Sequence, residues 1–422
     1  MNFNITSQEG LNYSKISGDN NKIHTNDLYG YNSIFGEKIC HGCFIILKFI
    51  KIIKIYKLLK DKKKFSIKVL FFKHFKYDQN IEIKRKKNNF QLFQEKILIA
   101  EIKIYSINIF SFESFKSKKF LIKCKKLKSK SIEYKLTKTL NNLSRHVGRV
   151  YPGLNSILNE INLNYNSLYK FGHSEMKIFS KKKDKRAPII LNKLYYDKFL
   201  VDFVSSERPI LKIKRIKPKK YIIKKIKKIK DNVLILGASQ GIGSRLLDIL
   251  SYNKKIKIIA SFNKNSIKMC NDNIKKVKIN VEKDFHKISK IIKKYNPIKI
   301  YYFIAPKIFL DKKLSKKNKF KYEKLFVGLP LKIINKNKFR NISFFYPSTI
   351  FVKDKNNLDY SKIKKKAEIK LNRSCKKNHI KLAIFRFPIL KSRQTLSFLN
   401  NDTKDLVSFL NNNKLAAEKL LN

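Results

Sequence analysis

Residues 233–250 read VLILGASQGIGSRLLDIL, and this stretch constrains the fold more than any other. Four apolar residues are followed by a turn holding Gly237, Gly241 and Gly243, then by the helical run SRLLDIL, and the next strand-like run, KIKIIASF, comes soon after. Strand, glycine turn, helix, strand is the rhythm of a parallel α/β sheet. Glycines at such a turn keep it tight and let backbone N–H groups approach a pyrophosphate at the helix N-terminus. Gly237, Ser239, Gly241, Ile242 and Gly243 are therefore the candidate dinucleotide-binding residues.

Charge is the feature that could mislead. The 422 residues hold 97 Lys plus Arg against 30 Asp plus Glu, a formal +67. A nucleic-acid footprint clusters on one face or tail. Here the excess is nearly all Lys and runs the whole length, alongside heavy use of Ile, Asn and Phe, 12 Gly and no Trp. That is the signature of drift toward A- and T-rich codons, so nucleic acid is not the expected partner. The five cysteines are scattered and odd in number, which suggests no disulfide framework. Cys40 and Cys43 form a lone CxxC, so no metal site is expected. The start MNFNITSQEG lacks a basic, then apolar, leader pattern. The most apolar run, ICHGCFIILKFIKIIKIYKLL, is broken by Lys48, Lys51, Lys54 and Lys57. It falls short of the ~20 apolar residues a membrane helix needs. A soluble cytoplasmic protein is the expectation, with a homo-oligomer as its state.

Three domains are expected: 1–110, 111–222 and 223–422. In the first, a loop precedes a long helix from about His41 to Leu59, and alternating runs such as FSIKVLFF, NIEIKRK, FQLFQ and ILIAEIKIYSI predict strands. Residues 111–140 read as a linker or irregular edge, and 217–231 as a charged connector. The first two blocks read as α+β, possible copies of one fold; the third is α/β of the doubly wound, parallel kind.

The loop SGDNNKIHTND, 17–27, holds Asp19, Asn21 and His24, and His41-Gly42 then opens the helix. This combination resembles the MaoC-like (R)-specific enoyl hydratases, which are hot-dog folds, over roughly the first hundred residues. The resemblance implies that Asp19 and His24 hold one water that adds to an enoyl thioester, while the Gly42 N–H polarises the thioester carbonyl. Acid/base chemistry of this kind suits a carboxylate paired with an imidazole. Lys22 stands where that family has Pro. SRHVGRVYPGLNS, 144–156, looks like the second half of a double hot-dog protein; it lacks the dyad, and Arg145, His146 and Ser156 read as structural before polar lining.

The GxxxGIG spacing, with Ser348, Tyr360 and Lys364 in order after it, resembles the short-chain dehydrogenase/reductases. The resemblance implies that Tyr360 is the general acid/base, that Lys364 lowers its pKa and holds the nicotinamide ribose, and that Ser348 orients the carbonyl. A phenol needs such a neighbouring cation to work at neutral pH. The family's Asn-Ala-Gly is here FIAPKIF, its tetrad Asn has no counterpart in EKLFVGLPL, and Asn280 replaces an acid near the adenine. Asn263 and Lys264 follow the second strand with no acid among them, which favours NADP and leaves NAD open. The expected function is a bifunctional enzyme acting on acyl thioesters of coenzyme A or a carrier protein. The alternatives are a reductase with a non-catalytic hot-dog module, and a basic nucleic-acid-binding protein on an enzyme scaffold.

Overall fold

A computed structural model describes all residues except 56–62, 106–117, 124–130, 173–174, 183–187, 210, 212–215, 309–312, 338–340, 354–357, 396–402 and 422. The chain divides into two units, Met1–Ile210 and Leu211–Asn422.

The first unit contains, in order, β1 Asn2–Phe3, α1 Ser7–Ser17, α2 Lys22–Thr25, α3 Asp27–Tyr31 and α4 Gly42–Ile52. Then come β2 Lys64–Phe71, β3 Ile81–Lys86, β4 Asn89–Gln94, β5 Ile97–Tyr105, β6 Lys118–Lys123 and α5 Ile132–Arg145. The unit closes with β7 Ser156–Asn166, β8 Glu175–Lys182, β9 Ile189–Tyr196 and β10 Phe199–Glu207. All ten strands join one antiparallel sheet in the order β1-β3-β4-β5-β2-β7-β10-β9-β8-β6. Read outward from the central β2–β7 pair, the two halves repeat one order, offset by five strands. Between its first two strands in sequence the first half carries α1 to α4 and the second carries α5.

Alternation explains the sheet. In β4, Phe90, Leu92 and Gln94 face inward while the residues between them do not, and β2 buries Phe65, Ile67 and Val69. The helices cover that face. In α5, Leu136, Leu140 and Leu143 recur at helical spacing, and they join Cys43, Ile45, Ile46, Phe49 and Ile50 of α4 in one core. The long helix expected from His41 to Leu59 stops at Ile52, because Lys54 takes a left-handed φ of 53°; residues 56–59 lie outside the described residues. Lys48, on the same helix, stays partly buried by reaching Glu9 of α1. The expected linker 111–140 instead supplies β6 and most of α5, since an amphipathic pattern lies beneath its lysines.

The second unit contains α6 Lys220–Lys227, β11 Val233–Leu236, α7 Gly241–Leu250, β12 Ile258–Phe262, β13 Ile274–Lys278 and α8 Phe285–Tyr295. It continues with β14 Lys299–Tyr302, α9 Lys316–Tyr322, α10 Leu329–Lys336, β15 Ser343–Thr349, α11 Asp359–Lys377 and β16 Lys381–Phe387. The helices α12 Leu406–Asn411 and α13 Lys414–Leu421 complete it. The sheet is wholly parallel, in the order β13-β12-β11-β14-β15-β16. This is the Rossmann-type doubly wound order, and strand direction reverses its march between β11 and β14. Helices α6, α7, α12 and α13 cover one face, α8, α10 and α11 the other. The expected charged connector is therefore part of this core: Ile222 and Ile226 of α6 are fully buried, while between them Lys224 is exposed and Lys225 pairs with Glu418. Among the described residues no helix is long and apolar enough to cross a membrane.

Candidate functional site

In the first unit the site begins where α1 ends. Gly18 takes a φ of 76°, and its N–H closes on the Ser14 carbonyl, so the chain turns sharply into Asp19. Ser14 Oγ holds the Asp19 carbonyl at 2.6 Å. The Asn21 side chain accepts from the Ile23 N–H and caps α2, which sets His24 one turn further on.

His24 Nδ1 lies 2.8 Å from the Ile39 carbonyl. A carbonyl only accepts, so Nδ1 carries the proton and Nε2 keeps its lone pair. The His41 ring stacks on His24 at 3.9 Å and 27°. His41 Nε2 donates to the Asp19 carbonyl at 3.2 Å, and Tyr77 Oη approaches Nδ1 at 3.4 Å. The Asp19 carboxylate accepts from the Asn21 N–H at 3.3 Å and from Ser144 Oγ at 2.7 Å. A Cβ on Gly148 would lie 2.0 Å from Asp19 Oδ1, so only glycine leaves the carboxylate its seat.

Burial sets the electrostatics. It lowers His24 to about 4 and His41 to about 3, so both rings are neutral at pH 7. It raises the Asp19 carboxyl, against the pull of His41, Ser144, the Asn21 N–H and Arg149. One polar atom each from Asp19, His24 and His41 falls within 4.8 Å of the others. Hydrogen bonds already engage both His41 nitrogens and both Asp19 oxygens, and the rings lie face to face rather than converging. The cluster suits proton transfer better than metal ligation. Gly42 opens α4 with no side-chain cap on that helix start, and a Cβ there would meet Phe71 at 3.3 Å and Leu158 at 3.4 Å. Gly42 thus lies against apolar side chains from both halves of the sheet.

Of the residues singled out in the sequence, Asp19 and His24 come together here, with His41; Tyr77, Ser144 and Gly148, which join them, were not singled out. Their signal was weak: Ser144 and Gly148 sit 125 or more residues from Asp19, in the segment read as structural. Of its three flagged residues, Arg145 packs on Gly18, His146 is buried with neither ring nitrogen hydrogen-bonded, and Ser156 is buried on β7.

In the second unit the glycine turn lies at the carboxyl end of β11, beside the switch point. Gly237 has φ 90° and Gly241 φ 59°. A Cβ on Gly243 would fall 2.2 Å from the Gly237 carbonyl oxygen, and one on Gly237 would fall 2.9 Å from the Phe303 backbone. The turn is bolted to β12: Gly237 N–H donates to Ser261 Oγ at 3.0 Å and Ala238 N–H to the Ser261 carbonyl at 2.8 Å. No side chain caps α7, so its first amides remain directed at the crevice. Ser239 and Ile242 are half-buried on this turn, and Asn263 and Lys264 are exposed just past β12. The cradle fits a pyrophosphate at Gly241, where a Cβ would meet only Ser392 at 3.9 Å, so the backbone at the start of α7 is open to a ligand.

Ser348 lies near the end of β15, and Tyr360 and Lys364 are one turn apart on α11. The Tyr360 ring packs edge-on against Tyr322 and Phe326, and burial with Tyr322 beside it pushes the phenol above its ordinary value. Lys364 sends its ammonium to the Pro347 carbonyl at 2.7 Å and Tyr346 Oη at 3.2 Å, over the faces of Phe326 and Tyr346. Burial lowers it to about 7, against the pull of Glu368. Burial alone would raise Glu368, but its two bonds to Arg386, helped by the nearby Ser348 hydroxyl, bring it below its ordinary value. In place of a tetrad Asn, residues 323–328 form a widened π-helical turn whose Leu325 and Phe326 carbonyls accept from Tyr302 and Tyr346. In FIAPKIF, Lys307 donates to the Arg393 carbonyl, and Asn280 follows β13 with its N–H on Asp284.

No family model matches the sequence, and no curated protein matches it. Solved structures similar to it include a short chain dehydrogenase from Burkholderia cenocepacia in complex with NADP, 11% identical, covering 45% of this chain and 84% of that one at a TM-score of 0.39. A short chain dehydrogenase family protein from Francisella tularensis is 18% identical, covering 45% and 80% at 0.34. A UDP-glucuronic acid 4-epimerase from Bacillus cereus in complex with NAD is 16% identical, covering 38% and 57% at 0.32; the chain thus spans little more than half of it. The fold of the second unit rests on its own sheet order and glycine turn.

Proposed function

We propose that residues 1–210 are a double hot-dog hydratase/dehydratase of acyl thioesters and that residues 211–422 are a short-chain reductase using NADP. The first reading is carried by one observation: His24 Nε2 is left with its lone pair beside the buried Asp19 carboxylate, while the Gly42 amide opens a helix nearby. The repeated strand order, with α4 of one half and α5 of the other sharing one core, supports the hot-dog fold.

The chemistry follows from those atoms. His24 Nε2 takes a proton from a water as its oxygen bonds to C3 of the enoyl thioester. The Gly42 N–H, at the positive end of α4, stabilises the negative charge that moves onto the carbonyl oxygen. A proton returned to C2 through the Asp19–His24 pair completes the 3-hydroxyacyl product. In the second unit, the glycine turn and the open α7 amides would hold the dinucleotide's pyrophosphate, and exposed Lys264 would favour a 2′-phosphate. Bound there, the nicotinamide supplies or accepts a hydride. Tyr360 would exchange a proton with the 3-oxo or 3-hydroxy oxygen, positioned with Ser348. The two units would then share the 3-hydroxyacyl thioester.

A second reading has one observation in its favour. Lys364 is engaged with Pro347 and Tyr346 rather than with Tyr360, which suits a second unit that binds dinucleotide without turning over. The test supplies a 2-enoyl and a 3-oxoacyl thioester separately, following loss of the enoyl and oxidation of NADPH. Asp19→Asn should abolish hydration and spare reduction; Tyr360→Phe should do the reverse, with a loss of about 100-fold or more. NADPH binding without oxidation would select the second reading.

A further inference from the structure

We infer that Ser144, on the half of the first unit that carries no Asp–His pair, is a positioning residue that fixes the orientation and ionisation of the Asp19 carboxylate. The inference deepens the hydratase reading and rests on it for its catalytic meaning. The geometry is direct. Ser144 Oγ donates to Asp19 Oδ2 at 2.7 Å, and both groups are nearly excluded from water. The other Asp19 oxygen is held more loosely by the Asn21 N–H at 3.3 Å. Gly148, one turn beyond Ser144, leaves room for the carboxylate and for nothing else. The segment 144–148 therefore forms a socket for a carboxylate that belongs to the other half of the sheet. A two-point hold on a carboxylate fixes its plane, and hence which oxygen lone pair faces the water beside His24.

The socket also acts on charge. Donation to the ionised form favours it, and burial opposes it. The other titratable or charged neighbours are His41 just before α4, Cys43 of α4, Tyr13 of α1, Tyr77 before β3, and Arg149 beyond Gly148. His41 is neutral above pH 5, and burial pushes Tyr13, Tyr77 and Cys43 upward. Across the working range Ser144 is the side-chain donor on Asp19 whose removal alters its titration.

The test uses the full chain with Ser144→Ala and Ser144→Thr. The Asp19 carboxyl is followed by carbon NMR, its signal assigned by loss in Asp19→Asn, and hydration kcat/KM is measured against pH. Ser144→Ala should raise the Asp19 titration and the acid limb of hydration together by about one pH unit, the scale expected for one donor lost from a charged acceptor. Ser144→Thr, which keeps the hydroxyl, should restore both. An unmoved titration in Ser144→Ala, or a threonine variant as shifted as the alanine one, would overturn the inference. A shifted titration in a chain that hydrates no enoyl thioester would leave the socket standing and remove the hydratase reading.

Discussion

Lowering the pH from 7 to 5 should unfold the first unit well before the second. Four histidines of the first unit, His24, His41, His74 and His146, are lowered by burial to about 4, 3, 4 and 4. In the unfolded chain each returns to about 6.5. Between those values the unfolded state binds more protons, so stability is retained above pH 6.5 and lost as pH falls through the window down to about 4, or to about 3 for His41. At pH 5 each histidine costs about 2 kcal/mol, and the four together about 8 kcal/mol. A domain's whole stability is ~5–15 kcal/mol. Asp19 and Asp202, both raised by burial, shift the balance the other way, but they are two groups against four. In the second unit, His286 and His379 are exposed. Denaturant titrations read by hydrogen exchange and mass spectrometry would separate peptides of the two units. His146→Phe gives an internal control: neither ring nitrogen has a hydrogen bond to lose, and the ring already packs among Phe120 and Phe203. It should reduce the pH slope by about a quarter. A first unit whose midpoint is flat between pH 7 and 5, or a second unit that melts first, would refute the reasoning.

Two further outcomes concern the dinucleotide cradle. Gly243→Ala sets a methyl 2.2 Å from the Gly237 carbonyl oxygen, so NADPH binding measured by fluorescence titration should be lost, with destabilisation of ~1–3 kcal/mol. Lys264→Ala should narrow a preference for NADPH over NADH without abolishing either, which competition titration would reveal.

How much the sequence disclosed depended on the reach of each side chain. VLIL and its glycines specify a buried strand and a turn with few alternatives, so the parallel sheet was legible. Asp19, Asn21 and His24 are short side chains on one tight loop, and spacing nearly dictates where their polar atoms meet. Ser144, Gly148 and Tyr77 reach the same point only after the sheet has brought distant segments together, and no local pattern encodes that. Uniform lysine hid α6 and β6, because solvent-facing lysines mask the apolar stripe beneath them.

Lys364 is the instructive case, and it leads to a last prediction. The YxxxK spacing places Tyr360 and Lys364 on one face of α11, but a lysine has four rotatable bonds between that face and its charge. Here the charge is drawn away, to a carbonyl, a hydroxyl and two ring faces, with no ion pair to a carboxylate among the described residues. The low-dielectric seat lowers the amine to about 7, so near neutrality much of it is uncharged and little cationic field reaches Tyr360. If reduction needs a cation beside Tyr360, Lys364 must leave Tyr346 first, and the Tyr346 hydroxyl is a brake. Tyr346→Phe removes one of two acceptors while keeping the ring and its packing against Tyr302. It should raise NADPH-dependent reduction at neutral pH by several-fold, since one hydrogen bond to a charged group is worth ~1.5–3 kcal/mol and part of that returns as a cation–π contact. The Tyr346–Phe326 hydrogen bond is also lost, so unfolding should be measured alongside turnover. A stably folded Tyr346→Phe enzyme with reduced turnover would contradict the brake and place Tyr346 in the path of the proton.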